Sequence, residues 1–94
     1  MTIRPLSGYE GWSNYATWNV WLWLNNEQPV YEAMIDYIDG SESPTYRSLI
    51  AYLRAKDIIR PETPDGIYWL SSDLNLDELD EALNETSLEH IRHS

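Results

Sequence analysis

Six carboxylates crowd into residues 73–85: Asp73, Asp77, Glu78, Asp80, Glu81 and Glu85. Acids at this density can do one of two things. Two of them can share a proton as a general acid–base pair, or together they can present negative charge to a basic surface. The first needs an apolar pocket that raises one pKa, and no apolar run surrounds any of these acids. The second needs a platform, and the spacing predicts one. Leu76, Leu79 and Leu83 recur at i, i+3 and i+7, the period of a helix with one buried edge, expected over 76–85. Asp77, Glu81 and Glu85 then form one outer row, which Glu78 and Asp80 broaden. Acids one turn apart repel by a few tenths of a kcal/mol per pair, a cost that a solubilising face also tolerates.

Other chemistry is sparse. No nucleophile elbow, P-loop, dinucleotide fingerprint or zinc-ligand spacing occurs. Asp65-Gly66 lacks the ligand repeat or glycine-rich cradle that a cation or phosphate needs. His90 and His93, beside Glu89, sit in the tail over 87–94, where the chain from Thr86 is expected to extend or restart the last helix and then fray, a poor base for a preorganised metal site. No enzymatic activity, cofactor or metal is expected.

The elements that must carry the acids are organised around residues 14–27, NYATWNVWLWLNNE. Trp18, Trp21 and Trp23 alternate there with Val20, Leu22 and Leu24. At 100° per residue only Thr17, Asn19 and Asn25 interrupt an apolar surface. Ser13-Asn14 supplies an N-cap, so a central helix is expected over 15–26, with Trp18 and Leu22 in the core together. An indole reaching the surface as a binding anchor is the other use of these rings.

The residues Gly11-Trp12-Ser13-Asn14-Tyr15-Ala16-Thr17-Trp18-Asn19-Val20-Trp21-Leu22-Trp23 resemble the GW-x-NY-x-TWNV-x-LW signature of a family of small, largely uncharacterised phage and plasmid proteins. Thr63-Pro64-Asp65-Gly66-Ile67-Tyr68-Trp69 is similar to that family's TPDG-hydrophobic-x-W turn, and an acidic, leucine-spaced helix follows. The resemblance implies a mobile-element origin and a compact α-helical fold. It implies no enzymatic activity and brings no catalytic residues.

The rest of the chain fits one helical domain. Residues 1–11, with Pro5, Gly8 and Gly11, read as an arm. Pro29 opens a second helix over 29–38, with Val30, Met34, Tyr37 and Ile38 on one face and Gly40 as its stop. Ser43 as cap and Pro44 predict a third over 44–56, with Tyr46, Leu49, Ile50 and Leu53 inward. Arg47, Arg54, Lys56 and Arg60 form the one basic cluster, expected to pair with the acidic segment. Pro61, Pro64 and Asp65-Gly66 make 60–69 a loop. Residues 67–69 are extended enough for a short β-bridge to the arm. The expected fold is all-α, a small four-helix bundle around the tryptophan helix.

Sixteen acids against six bases give a net charge of −10, and no Lys or Arg lies between Pro61 and Ile91. Such a surface repels nucleic acid and membranes and attracts basic partners. Five Trp and seven Tyr with no Phe give every ring a polar handle suited to interfaces. The absence of Cys and of any long apolar run fits a soluble protein of the cytoplasm. The expected partner is a basic protein or nucleoprotein complex of the host, engaged as an anti-CRISPR or anti-restriction inhibitor would engage it. The alternative is an accessory interaction protein, homodimerisation included, whose acidity serves solubility.

Overall fold

The structure, a computed structural model, describes residues 11–93, with side chains as far as Leu88. The expected arm over 1–11 lies almost wholly outside the described residues, as do the side chains of Glu89, His90 and His93.

Among the described residues four helices form: α1 (Tyr15–Asn26), α2 (Gln28–Asp39), α3 (Tyr46–Ala55) and α4 (Leu76–His93). The chain is an all-α bundle. α1 packs on α2 and α4, α2 on α3, α3 on α4, and α2 crosses to α4. Among the described residues no helix is long and apolar enough to cross a membrane.

α1 begins where the sequence places it. Asn14 is extended, and its Oδ1 accepts from the Thr17 backbone N at 2.9 Å, satisfying a donor that the first turn leaves unmet. Glu27 leaves the helix in a β conformation, and α2 starts one residue on with Pro29 in its first turn, where a missing N–H costs nothing. Gly40 closes α2 with an ordinary φ of −97°, so left-handed freedom is not what it contributes.

Two helix boundaries differ from expectation. α3 starts at Tyr46 with Thr45 as its cap, not at Pro44 behind Ser43. The Tyr37 hydroxyl accepts from the Thr45 backbone N at 3.3 Å, and the Asp80 carboxylate accepts from the Tyr46 backbone N at 2.7 Å. Tertiary partners thus hold Thr45 extended and fix the start. α4 continues beyond Glu85 to His93. Asn84 and Thr86 donate to the carbonyls of Asp80 and Ala82 at 2.9 Å, so these polar side chains fold back onto the helix and do not end it.

α3 ends in a Schellman arrangement: the Ile58 N donates to the Leu53 carbonyl at 3.0 Å and the Asp57 N to that of Arg54 at 3.0 Å. Asp57 takes the left-handed position at φ 59°. The connection to α4 is pinned along its length. Thr63 N donates to Ile67 O at 2.8 Å, Gly66 N to Thr63 O at 2.8 Å and Trp69 N to Pro61 O at 3.1 Å. An antiparallel bridge joins Glu62 to Tyr68, so this loop pairs with itself.

The core is drawn from all four helices: Val20 and Leu24, Met34 and Ile38, Tyr46, Leu49, Ile50 and Leu53, Leu79 and Leu83 are buried. In α1 the buried positions are Ala16, Thr17, Asn19, Val20 and Leu24. Trp18 and Leu22 are only half-buried, which corrects their expected core position. Two fully buried polar residues, Thr17 and Asn19, occupy the inward face and turn the 18/22 row outward. Trp12 meets Trp21 in the second turn of α1, ring centroids 5.8 Å apart.

Two substitutions test this core. Leu24→Ala should destabilise by about 3–5 kcal/mol and Leu22→Ala by no more than ~1.5, since only the first opens a cavity in packed protein. Asp57→Gly should stabilise by roughly 0.5 kcal/mol by removing the left-handed penalty of an L-residue. Urea denaturation of the three variants and the parent checks both.

Candidate functional site

The residues of the tryptophan stretch that looked most like a motif serve the fold. Asn75 caps α4, its Oδ1 accepting from Glu78 N at 3.1 Å. The third residue of each helix then serves the start of the other, Thr17 at the α4 cap and Glu78 at the residue before the α1 cap. Thr17 of α1 accepts from the Asn75 backbone N at 2.9 Å, and Glu78 of α4 accepts from the Ser13 backbone N at 3.0 Å. Asn14 Nδ2 donates to the Asp73 carbonyl at 2.8 Å, and Asn75 Nδ2 to the Ser13 hydroxyl at 3.1 Å. This is a capping box exchanged between two helices.

One turn on, Asn19 holds the loop. Its Oδ1 accepts from the Thr63 hydroxyl at 2.7 Å and its Nδ2 donates to Asp65 Oδ2 at 2.7 Å. A carboxylate can only accept, so the amide nitrogen must face it. Trp23 Nε1 donates to the same oxygen at 2.9 Å. These donors, Trp23 first and Asn19 second, hold the Asp65 carboxyl below its ordinary 3.8. Asp65 is therefore a structural acceptor. Burial pushes the Tyr46 phenol up, and its hydroxyl donates to the Trp69 carbonyl at 2.6 Å.

The six acids divide by role. Glu78 and Asp80 are half-buried and engaged by Ser13 and Tyr46. Asp73 is exposed beside the exchanged caps. Asp77, Glu81 and Glu85 are exposed and share one row of α4. The basic cluster does not pair with them: among the described residues Arg47, Arg54, Lys56 and Arg60 form no ion pair, and Lys56 instead lies 5.2 Å from the Tyr52 ring centroid. α3 and its following loop turn these bases outward. Among the described residues no three His, Cys, Asp or Glu side chains are placed to hold a metal ion.

A feature absent from the sequence reading is an apolar cleft of about 730 Å³ between the start of α2 and the α3–α4 loop. Its surfaces come from Val30, Ile58, Ile59, Trp23 and Trp69. The dense prolines of 60–69, two of which line it, marked the loop that borders it.

Fold and side chains define a small all-α domain in which Asn14, Thr17 and Asn19 tie α1 to the α4 start and the α3–α4 loop. The chain belongs to a family of unknown function, DUF7249, whose profile matches residues 6–90. No curated protein matches it, and neither does any solved structure.

Removing the staple should cost more than its size suggests. Asn19→Ala leaves the buried Thr63 hydroxyl short of a partner and should destabilise by about 2–3 kcal/mol. A depressed carboxyl contributes stability that is complete above its unfolded pKa and is lost as pH falls through the lower folded one. The stability gap between the parent and Asp65→Ala should hold down to about pH 4 and close below it. Denaturation across pH 2–6 reads both effects.

Proposed function

We propose that this protein is a non-catalytic interaction protein that docks the outer row of α4 on a basic surface of a nucleic-acid-handling complex, where nucleic acid would otherwise bind. The concrete form is a mobile-element inhibitor of the anti-CRISPR or anti-restriction kind, acting in the host cytoplasm. One observation carries the reading. Asp77, Glu81 and Glu85 are exposed at one-turn intervals, about 6 Å along the axis, in a stretch of chain with no Lys or Arg from Pro61 to Ile91. Glu78 and Asp80 have structural duties, so the docking set narrows to this row with Asp73 at its head. Charge in such an array steers a basic partner over a Debye length and fixes register on contact.

The test is capture of a partner from host lysate on the immobilised protein, followed by measured affinities. Glu81→Lys with Glu85→Lys should keep the fold and lower affinity at least about tenfold, with a shallower salt dependence. Adding Asp77→Lys should lower it further, at a stability cost of about 1 kcal/mol because Asp77 faces the positive end of the α4 dipole. Unchanged affinity in the double variant would remove the acidic row from the interface.

A further inference from the structure

We propose a second, separate binding site: the cleft between α2 and the α3–α4 loop takes a small apolar anion, a carboxylate carried on an aromatic or branched aliphatic body. Its volume of about 730 Å³ suits a small molecule. Val30, Ile58 and Ile59 give it an apolar surface, and Trp23 and Trp69 give it flat aromatic ones.

Two polar features choose the head group. Trp69 is only 3% exposed, and its Nε1–H, a donor with no capacity to accept, has no hydrogen-bond partner among the described residues. Buried donors of this kind are normally satisfied, so this one calls for an acceptor. Arg60 stands on the same wall and forms no ion pair among the described residues, in a chain with sixteen acids to choose from. Beyond Trp69 a second cleft, of about 330 Å³, shares Pro61 and Tyr68 with the first and brings Arg54 to its edge. Trp69 thus borders two clefts, each of which also has an arginine in its lining. A carboxylate would answer the N–H and the guanidinium together.

Glu27 and Glu62 also border the larger cleft and oppose an anion. Both are exposed, where water and salt screen them, and neither bonds the Trp69 donor. An ammonium ligand would gain those two acids but would face Arg60 and leave the indole N–H unmet. Because Nε1 is covered by protein atoms, a ligand reaches it only as a neighbouring side chain gives way, and the indole resonance reports that movement.

The experiment uses three probes of one shape: 4-phenylbutyrate, 4-phenylbutan-1-ol and 4-phenylbutylamine, each titrated into the ¹⁵N-labelled protein. Trp69→Phe assigns the Trp69 indole signal. The carboxylate should shift that signal saturably, the alcohol should bind at least fivefold more weakly, and the amine should leave it in place. Arg60→Gln, at an exposed position that leaves folding intact, should weaken the carboxylate at least fivefold. Equal binding of the amine or the alcohol would overturn the anion assignment. An unmoved Trp69 signal with all three probes would overturn the site.

Discussion

A carboxamide buried in an apolar core must have its donors and its acceptor occupied, and Asn19 is where this constraint bears on the fold. It is fully buried, and its partners are not helical neighbours alone: Thr63 and Asp65 lie more than forty residues away. An unmet amide at that position would cost a large part of a small domain's stability. The loop that carries Thr63 and Asp65 is thereby required to sit against α1. With the loop in place, Trp69 is buried and its carbonyl receives the Tyr46 hydroxyl, which ties α3 to the same point. One buried side chain on α1 thus positions the long connection, and the cleft between that connection and α2 follows from it.

The same economy of partners joins the starts of α1 and α4. Two helix N-termini brought together put two positive dipole ends side by side, which is unfavourable unless negative charge lies close. Glu78 supplies it through its bond to Ser13, and Asp73 and Asp77 stand in the same region. Exchanging the side chains of Thr17 and Glu78 between the caps satisfies orphan donors on both helices and fixes their relative position. Part of the chain's acidity is therefore a requirement of its architecture.

The helical elements were legible because their signals are local. Asn14 as a cap, Pro29 in a first turn and the leucine spacing of 76–83 each act within a turn or two. What could not be read was which face of α1 turns inward. The apolar side chains of that helix point everywhere, so hydrophobicity does not choose. The choice was made by Thr17 and Asn19, which have partners across the fold as well as in their own helix start, and this put Leu24 inside and left Leu22 half-buried. The two polar interruptions were visible as interruptions; the residues that satisfy them, near 63 and 75, were not. The start of α3 was missed for the same reason, since Asp80 and Tyr37 fix Thr45 and Tyr46 from outside the segment. Among the acids, spacing alone separated the outer row from the leucine edge. It could not separate Glu78 and Asp80, which serve backbone donors of other elements, from Glu81 and Glu85.

That separation bears on what the outer row is for. Were the acidity of α4 wholly a matter of capping, its carboxylates would gather in the first turn, where the dipole rewards them by about 0.3–1 kcal/mol each. Asp77 and Glu78 fit that account. Glu81 and Glu85 do not: they lie further along the helix, are exposed, and form an i,i+4 pair of like charge that slightly destabilises it. Solubility in a chain of net charge −10 does not depend on two more acids in one row, and Lys at either position would relieve the repulsion. The four bases of α3 and its following loop, which form no ion pair among the described residues, show that opposite charge was available and was placed elsewhere. Charge kept segregated at a small cost in stability is what the proposed docking on a basic surface would require, and the carboxylates that carry it lie on the part of α4 that the fold does not need.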